Sequence, residues 1–351
     1  MKRALSLLLA VVVTLSGCAG LPRPREMGDM ALLRAMGVDR GEEGVSLTVS
    51  TGPRAKGLQG EQQPALTLSA EKPSLSAASL AIQGLSDRFV SFGYVDQLLL
   101  GEELARQGVK PVLDWLARDT ELSLSAQIWV VQGKTAKETV ESGGDQGVES
   151  RLATLRTDGA MGVAAIPRTA GEVYTDLLEL GTSYAPALSL GDGEGTALLG
   201  AGYGVWSADG LAGFLAGDEA VGLELLAGKP SANVVECGDI TVRVYRAATT
   251  GRFLEDGRLS LTCRVWGRLA EYDRPPEREA FGTLSEQVRL REESCIRGAL
   301  EKLRGWEADC LGLGAKAAMT APALWQELQE DWLRYFGEQE PEVTVEVELV
   351  R

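Results

Sequence analysis

The sequence predicts an α+β fold, with mixed or antiparallel sheets packed against helices in more than one domain. Three observations carry this. Several short stretches alternate apolar and polar residues with a period of two, as half-buried strands do. Other stretches carry apolar residues at helical spacing behind capping residues. The two kinds do not alternate regularly, as a doubly wound parallel sheet would require. A chain of 351 residues is also long for a single core.

In chain order, Val45, Leu47 and Val49 alternate with Ser46, Thr48 and Ser50, which predicts a half-buried strand. The Gly- and Gln-rich stretch from Gly52 to Pro64 reads as a mobile loop. A helix is expected over 76–89, then a short buried strand from Gln97 to Leu100 that stops at Gly101. Two short helices follow, Glu102 to Gln107 and Val109 to Arg118, broken at Gly108. Leu122 to Val130 alternates as a strand, and Ala136 to Glu141 is a short helix. Gly171 to Leu180 reads as a helix, with an extended stretch running to Leu190.

Gly191-Asp192-Gly193-Glu194-Gly195 is the candidate domain boundary. It lacks the ligand set and spacing of a calcium loop, so it is read as a hinge. Leu198 to Trp206 and Leu211 to Leu215 form a hairpin about Ala208-Asp209-Gly210, and Asp218 caps a helix to Ala227. Two strands follow, one through Ile240, Val242 and Val244, the other from Leu259 to Val265. Thr283-Leu284-Ser285-Glu286 reads as a capping box opening the longest helix, which buries Val288, Cys295, Ala299, Leu303, Trp306 and Cys310. A helix from Pro322 presents Trp325, Leu328, Trp332 and Phe336 on one face. Val343, Val345, Val347 and Leu349 close the chain as a one-face-buried strand.

The N-terminus carries a different signal. Lys2 and Arg3 precede an uncharged run from Ala4 to Val13, and Leu15-Ser16-Gly17-Cys18 ends it. That pattern is a lipoprotein signal peptide, cleaved before Cys18, whose thiol receives a diacylglycerol. The apolar run is too short to cross ~30 Å of hydrocarbon, and Leu21-Pro22-Arg23-Pro24-Arg25 follows at once. The expected organisation is a signal peptide over 1–17, a lipid-anchored tether over 18–28, an α+β domain over 29–192 and a C-terminal α+β region over 197–351. A further break in that region is expected near residue 230.

The formal charge of −15 becomes −17 when the leader takes Lys2 and Arg3 with it. So acidic a body argues against nucleic acid as a partner and leaves membrane attachment to the lipid. The chain has no histidine, which excludes Ser-His-Asp and Cys-His catalysis and every His-ligated metal site. No enzyme activity and no cofactor are expected. Cys237, Cys263, Cys295 and Cys310 include no CxxC pair. Cys295 and Cys310, placed on one helix, lie about 22 Å apart and cannot pair. Cys237 with Cys263 stays open, as do four buried thiols.

Several local patterns, taken together, resemble the Ger(x)C family of spore germination lipoproteins. They are Cys18; Met36-Gly37-Val38-Asp39; Gly101-Glu102-Glu103-Leu104-Ala105-Arg106-Gln107-Gly108-Val109; and Val112 through Glu121, with Asp114, Arg118, Asp119 and Glu121. Tyr203-Gly204-Val205-Trp206 with Leu211-Ala212-Gly213 continues the match, as does the end bearing Trp306, Asp309, Gly312, Gly314, Trp325, Trp332 and Phe336. The sequence departs from the family pattern at Tyr94, at Leu122 to Ser125 and in the short tail to Arg351.

The resemblance implies a non-enzymatic C subunit of a nutrient germinant receptor on the outer face of the spore inner membrane. Its implied partners are a polytopic A subunit and a transporter-like B subunit, and the implied fold is α+β in separate domains. A lipid-anchored solute-binding protein is the alternative, and a carboxylate-based cell-wall hydrolase is weaker because no acid pair stands out. Cys18 is the one residue whose chemistry the sequence names. Glu102 and Glu103 point about 100° apart on their helix and read as favourable charges near its start. Asp114 and Arg118 form an i,i+4 pair. Trp325, Trp332 and Phe336 read as core, with partner contact as the alternative.

Overall fold

The first strand, Met30–Arg40, is one that the sequence pattern does not mark. The computed structural model describes residues 30–55, 62–158, 166–191, 197–208, 210–231, 233–273, 276–277 and 280–350. The segments expected to be signal peptide and tether, Cys18 among them, and residues 192–196 lie outside these.

The first half runs β1 (Met30–Arg40), β2 (Val45–Thr51), β3 (Arg54–Ala55), β4 (Gln62–Gln63), β5 (Thr67–Lys72), α1 (Leu75–Gly84), β6 (Phe89–Ser91) and β7 (Gln97–Gly101). Next come α2 (Glu102–Gln107), α3 (Lys110–Arg118), β8 (Gln127–Val131), α4 (Ala136–Glu141), α5 (Glu149–Asp158), α6 (Ala170–Glu179) and β9 (Thr182–Leu190). The second half runs β10 (Leu198–Ser207), β11 (Gly210–Leu215), α7 (Asp218–Leu226), β12 (Asn233–Cys237), β13 (Ile240–Phe253) and β14 (Leu259–Tyr272). It closes with α8 (Ala280–Gly305), α9 (Leu313–Ala318), α10 (Pro322–Leu328), α11 (Trp332–Glu338) and β15 (Glu342–Val350).

The large sheet has the order β11-β10-β9-β8-β7-β1-β2-β5, with β6 beside β1. Its middle strands β1, β7, β8 and β9 are parallel, and both flanks are antiparallel. Helices cover both faces. The core on one side takes Ala78, Ile82, Leu113, Leu116 and Val173 from α1, α3 and α6. The core on the other takes Val140 from α4 and Leu152 and Leu155 from α5. β1 is therefore buried on both faces from Ala35 to Asp39, where its burial does not alternate. The same geometry corrects the half-buried reading of β2: its polar Thr48 and Ser50 are also buried, and Thr48 Oγ1 lies 2.7 Å from Ser69 Oγ.

A second sheet has the order β12-β13-β14-β15, antiparallel except for the parallel β14–β15 pair. Its inner face packs on α7, α8, α9 and α11 in a third core, which also takes in Tyr184, Tyr203, Val205 and Leu215 from the large sheet. The chain is α+β, with mixed sheets. The large sheet does not stop at the Gly-rich stretch: Leu198 to Ser207 pair back onto Leu190 to Thr182, so β10 and β11 extend it.

Several boundaries differ from expectation for local reasons. α1 ends at Gly84 because Ser86 Oγ accepts from Arg88 N, and residues 89–91 pair with β1 instead. Residues 122–126 are not strand. Asp119 Oδ1 accepts from Glu121 N and Leu122 N, and Ser123 Oγ accepts from Ser125 N, so side chains replace the ladder. Gly217, not Asp218, is the N-cap of α7. α8 starts at Ala280, which puts the Thr283–Glu286 box inside the helix, and it ends at Gly305. Cys310 thus lies beyond α8 and does not share a helix with Cys295. All four cysteines are buried and free. The helix from Pro322 is split by a 3-10 turn at Gln329–Asp331.

Candidate functional site

The Met36–Asp39 and Gly101–Glu103 motifs meet at the ends of β1 and β7. Asp39 is buried, and its Oδ1 accepts from Ala136 N and its Oδ2 from Lys137 N, both at 2.8 Å. Those N–H groups open α4 and have no partner within the helix. Thr135 and Glu138 complete the cap reciprocally, at 3.0 and 2.9 Å. A Cβ on Gly101 would fall 1.9 Å from Asp39 Oδ1, so the carboxylate fits only against glycine. Burial raises the Asp39 carboxyl above its usual range, opposed by the two backbone donors. Glu102 Oε2 accepts from Gly133 N at 2.8 Å while its Oε1 takes Arg106. Glu103 turns away to Arg40. The two glutamates serve different contacts, and the cluster is a clasp between β1, β7 and α4.

Asp114, Arg118 and Asp119 lie on a separate surface. Asp114 accepts from the Tyr174 hydroxyl and from Arg118 Nη2, the latter at 2.9 Å. With Ser76, Pro111 and Trp115 these residues line an open groove of about 470 Å³. Glu121 instead accepts from Phe92 N at 3.3 Å, tying the loop after α3 to β6.

Of the aromatic stripe, Trp332 and Phe336 are buried in the core, and Trp325 packs half-buried against it. Trp332 packs with Trp325, Phe253 and Phe336 at centroid distances of 5.4, 5.7 and 5.9 Å. Its Nε1 donates to Asp309 Oδ2 at 2.8 Å. Asp309, itself buried, also accepts from Leu313 N and Gly314 N at 2.7 and 2.9 Å. A Cβ on Gly314 would fall 2.2 Å from the Trp332 ring, and one on Gly213 would fall 2.5 Å from Trp306. Asp309, Gly314 and Trp332 thus form one lock, in which a glycine makes room for an indole and a carboxylate holds α9 to α11, while Gly213 seats Trp306 against β11.

The candidate residues form three separate groups. Among the described residues no cluster of three or more Cys, Asp or Glu side chains is spaced to hold a metal. No helix among them is long and apolar enough to cross a membrane.

Family models match the chain in tandem: the spore germination protein N-terminal domain over residues 23–190, and the spore germination B3/GerAC-like C-terminal domain over 201–351. The chain belongs to this spore germination protein family. Spore germination protein KC of Bacillus subtilis (strain 168) is 31% identical over 143 residues, a match spanning 38% of this chain and 34% of that protein. The crystal structure of the GerBC protein superposes with a TM-score of 0.60 at 17% identity, covering 90% of this chain and 97% of that one. The shared fold is therefore α+β throughout.

Two buried polar nodes of this germination protein carry no sequence signal. Tyr203 accepts from Ile166 N and donates to Glu224 Oε1, both at 2.7 Å, and Glu224 Oε2 accepts from Ser231 N at 2.8 Å. This chain of bonds joins β10, α7 and the entry to β12. In α8, the wholly buried Glu292 accepts from Asn233 Nδ2 at 2.7 Å through Oε1. Its Oε2 has no hydrogen-bond partner, and Arg291 Nη1 stands 3.8 Å away. Burial pushes this carboxyl up to about 7. Burial likewise raises all four thiols, so the cysteines stay protonated and unreactive.

Proposed function

We propose that this chain is the C subunit of a spore nutrient germinant receptor. It is a non-catalytic lipoprotein held by a diacylglyceryl group on Cys18 at the outer face of the spore inner membrane. It works there beside a polytopic A subunit and a transporter-like B subunit. The observation that carries the reading is the tandem pair of spore germination domains behind a lipobox. Two acyl chains at about 0.8 kcal/mol per buried CH₂ anchor the acidic body without help from its charge. The motif carboxylates of Asp39, Glu102, Asp114 and Asp309 are all engaged in holding elements together, which suits an adaptor.

The test is affinity purification of the tagged full chain from solubilised spore membranes. Two polytopic proteins should accompany it in comparable amounts, and Cys18→Ala should move the chain to the soluble fraction. Purification of the wild-type chain alone would contradict the receptor assignment, and continued membrane retention of the variant would contradict the anchor.

A further inference from the structure

The outer face of the second sheet holds two arginines without an ion-pair partner among the described residues. Four exposed or half-exposed residues lie in one row across β12, β13, β14 and β15: Val234 opposite Arg243, Arg243 opposite Arg268, and Arg268 opposite Val350. Like charges facing each other across a strand pair repel.

The two rows on the side of Trp266 and Arg264 are satisfied internally. The Arg246 guanidinium stacks 4.4 Å over the Trp266 ring, whose Nε1 donates to Glu348 at 2.9 Å, and Arg264 pairs with Glu346 at 2.8 Å. Among the described residues no carboxylate lies within ion-pair distance of Arg243 or Arg268. Yet the chain as a whole carries a formal charge of −15.

The composition of the face identifies what would fill the gap. Exposed Tyr245, Val234 and Val350 flank the arginine pair, with Trp266 in the next row. The four strands contain no lysine. Arginine with Tyr and Trp, and without lysine, is the make-up of protein–protein hot spots. Paired guanidinium forks match a carboxylate bidentately. The same face also presents Glu236, Glu271, Glu346 and Glu348, which an extended anionic lipid plane would repel.

We propose that this face docks a carboxylate-bearing segment of a protein partner, seated between Arg243 and Arg268 with apolar side chains against Tyr245, Val234 and Val350. That the partner is a membrane subunit of the receptor rests on the function proposed above; the face itself does not.

The full chain carrying p-benzoylphenylalanine at position 245 tests this in spores. Irradiation should give an adduct with a protein, joined through a segment containing Asp or Glu. R243E/R268E should lower the yield at least about tenfold, since truncating such pairs costs several kcal/mol. R243Q/R268Q should lower it too, with a Tm no lower than that of the wild type. Reversing the contacted acid to lysine should restore the adduct to the glutamate variant. A lipid adduct alone, no adduct, or a yield indifferent to both double variants would overturn the proposal. An adduct meeting these criteria with a protein that has no part in germination would sustain the face and contradict the receptor assignment.

Discussion

Glu292 is a buried carboxyl whose chemistry departs well from its solution behaviour. Arg291 from its own helix, Asp218 from α7, Asn233 from β12 and the thiols of Cys263 and Cys295 surround it, and none supplies a donor to Oε2. The folded carboxyl keeps its proton up to about pH 7, while the unfolded one releases it near 4.5. The folded state therefore binds the extra proton between those values, so stability falls as pH rises through them and is level above. The loss attributable to this group is about 3 kcal/mol. Glu292→Gln should remove that part of the slope in urea denaturation between pH 4.5 and 7; an unaltered slope would refute the assignment. Asp39 and Asp309 stand within motifs legible in the sequence, but their roles do not. Asp39 caps a helix 97 positions away, and only the fold brings the two together.

At the scale of elements, legibility followed local periodicity. The β10–β11 hairpin, the helices from Glu102 to Arg118 and the closing strand β15 each have one buried face or a local cap, and each lies where its pattern places it. β1 was hidden because both faces of its second half, Ala35 to Asp39, are covered, which erases the alternation there. Leu122 to Ala126 alternates convincingly, yet Asp119 and Ser123 take the backbone donors and leave it outside the sheet. The box at Thr283–Glu286 misled because its residues are equally at home in the first turns of a longer helix. The Asp309–Trp332 lock makes a sharp prediction. Trp332→Ala should cost about 3–5 kcal/mol, the range for a large aromatic lost from a core. Trp332→Phe should cost less, losing the Asp309 bond but keeping most of the packing. Equal losses for the two variants in denaturant unfolding would show that the ring packing is unimportant.

For the molecule as a whole, the sequence marks a division at the Gly-rich stretch, and the two family models also part there, between residues 190 and 201. The hydrogen-bonded sheet nevertheless runs on through β10 and β11, and Tyr184 and Tyr203 enter the core beneath the second sheet. Long-range pairing of this kind leaves no trace in local spacing. The family was legible from the order of its motifs, whereas the three groups of motif residues hold the fold together and do not converge on one site. The central claim is that this assembly serves nutrient-triggered germination. Its most direct test is the germination of spores lacking the chain, followed as loss of optical density over a panel of amino acids, sugars and nucleosides. The response to one nutrient set should disappear while vegetative growth stays normal; germination unchanged in every medium would contradict the claim.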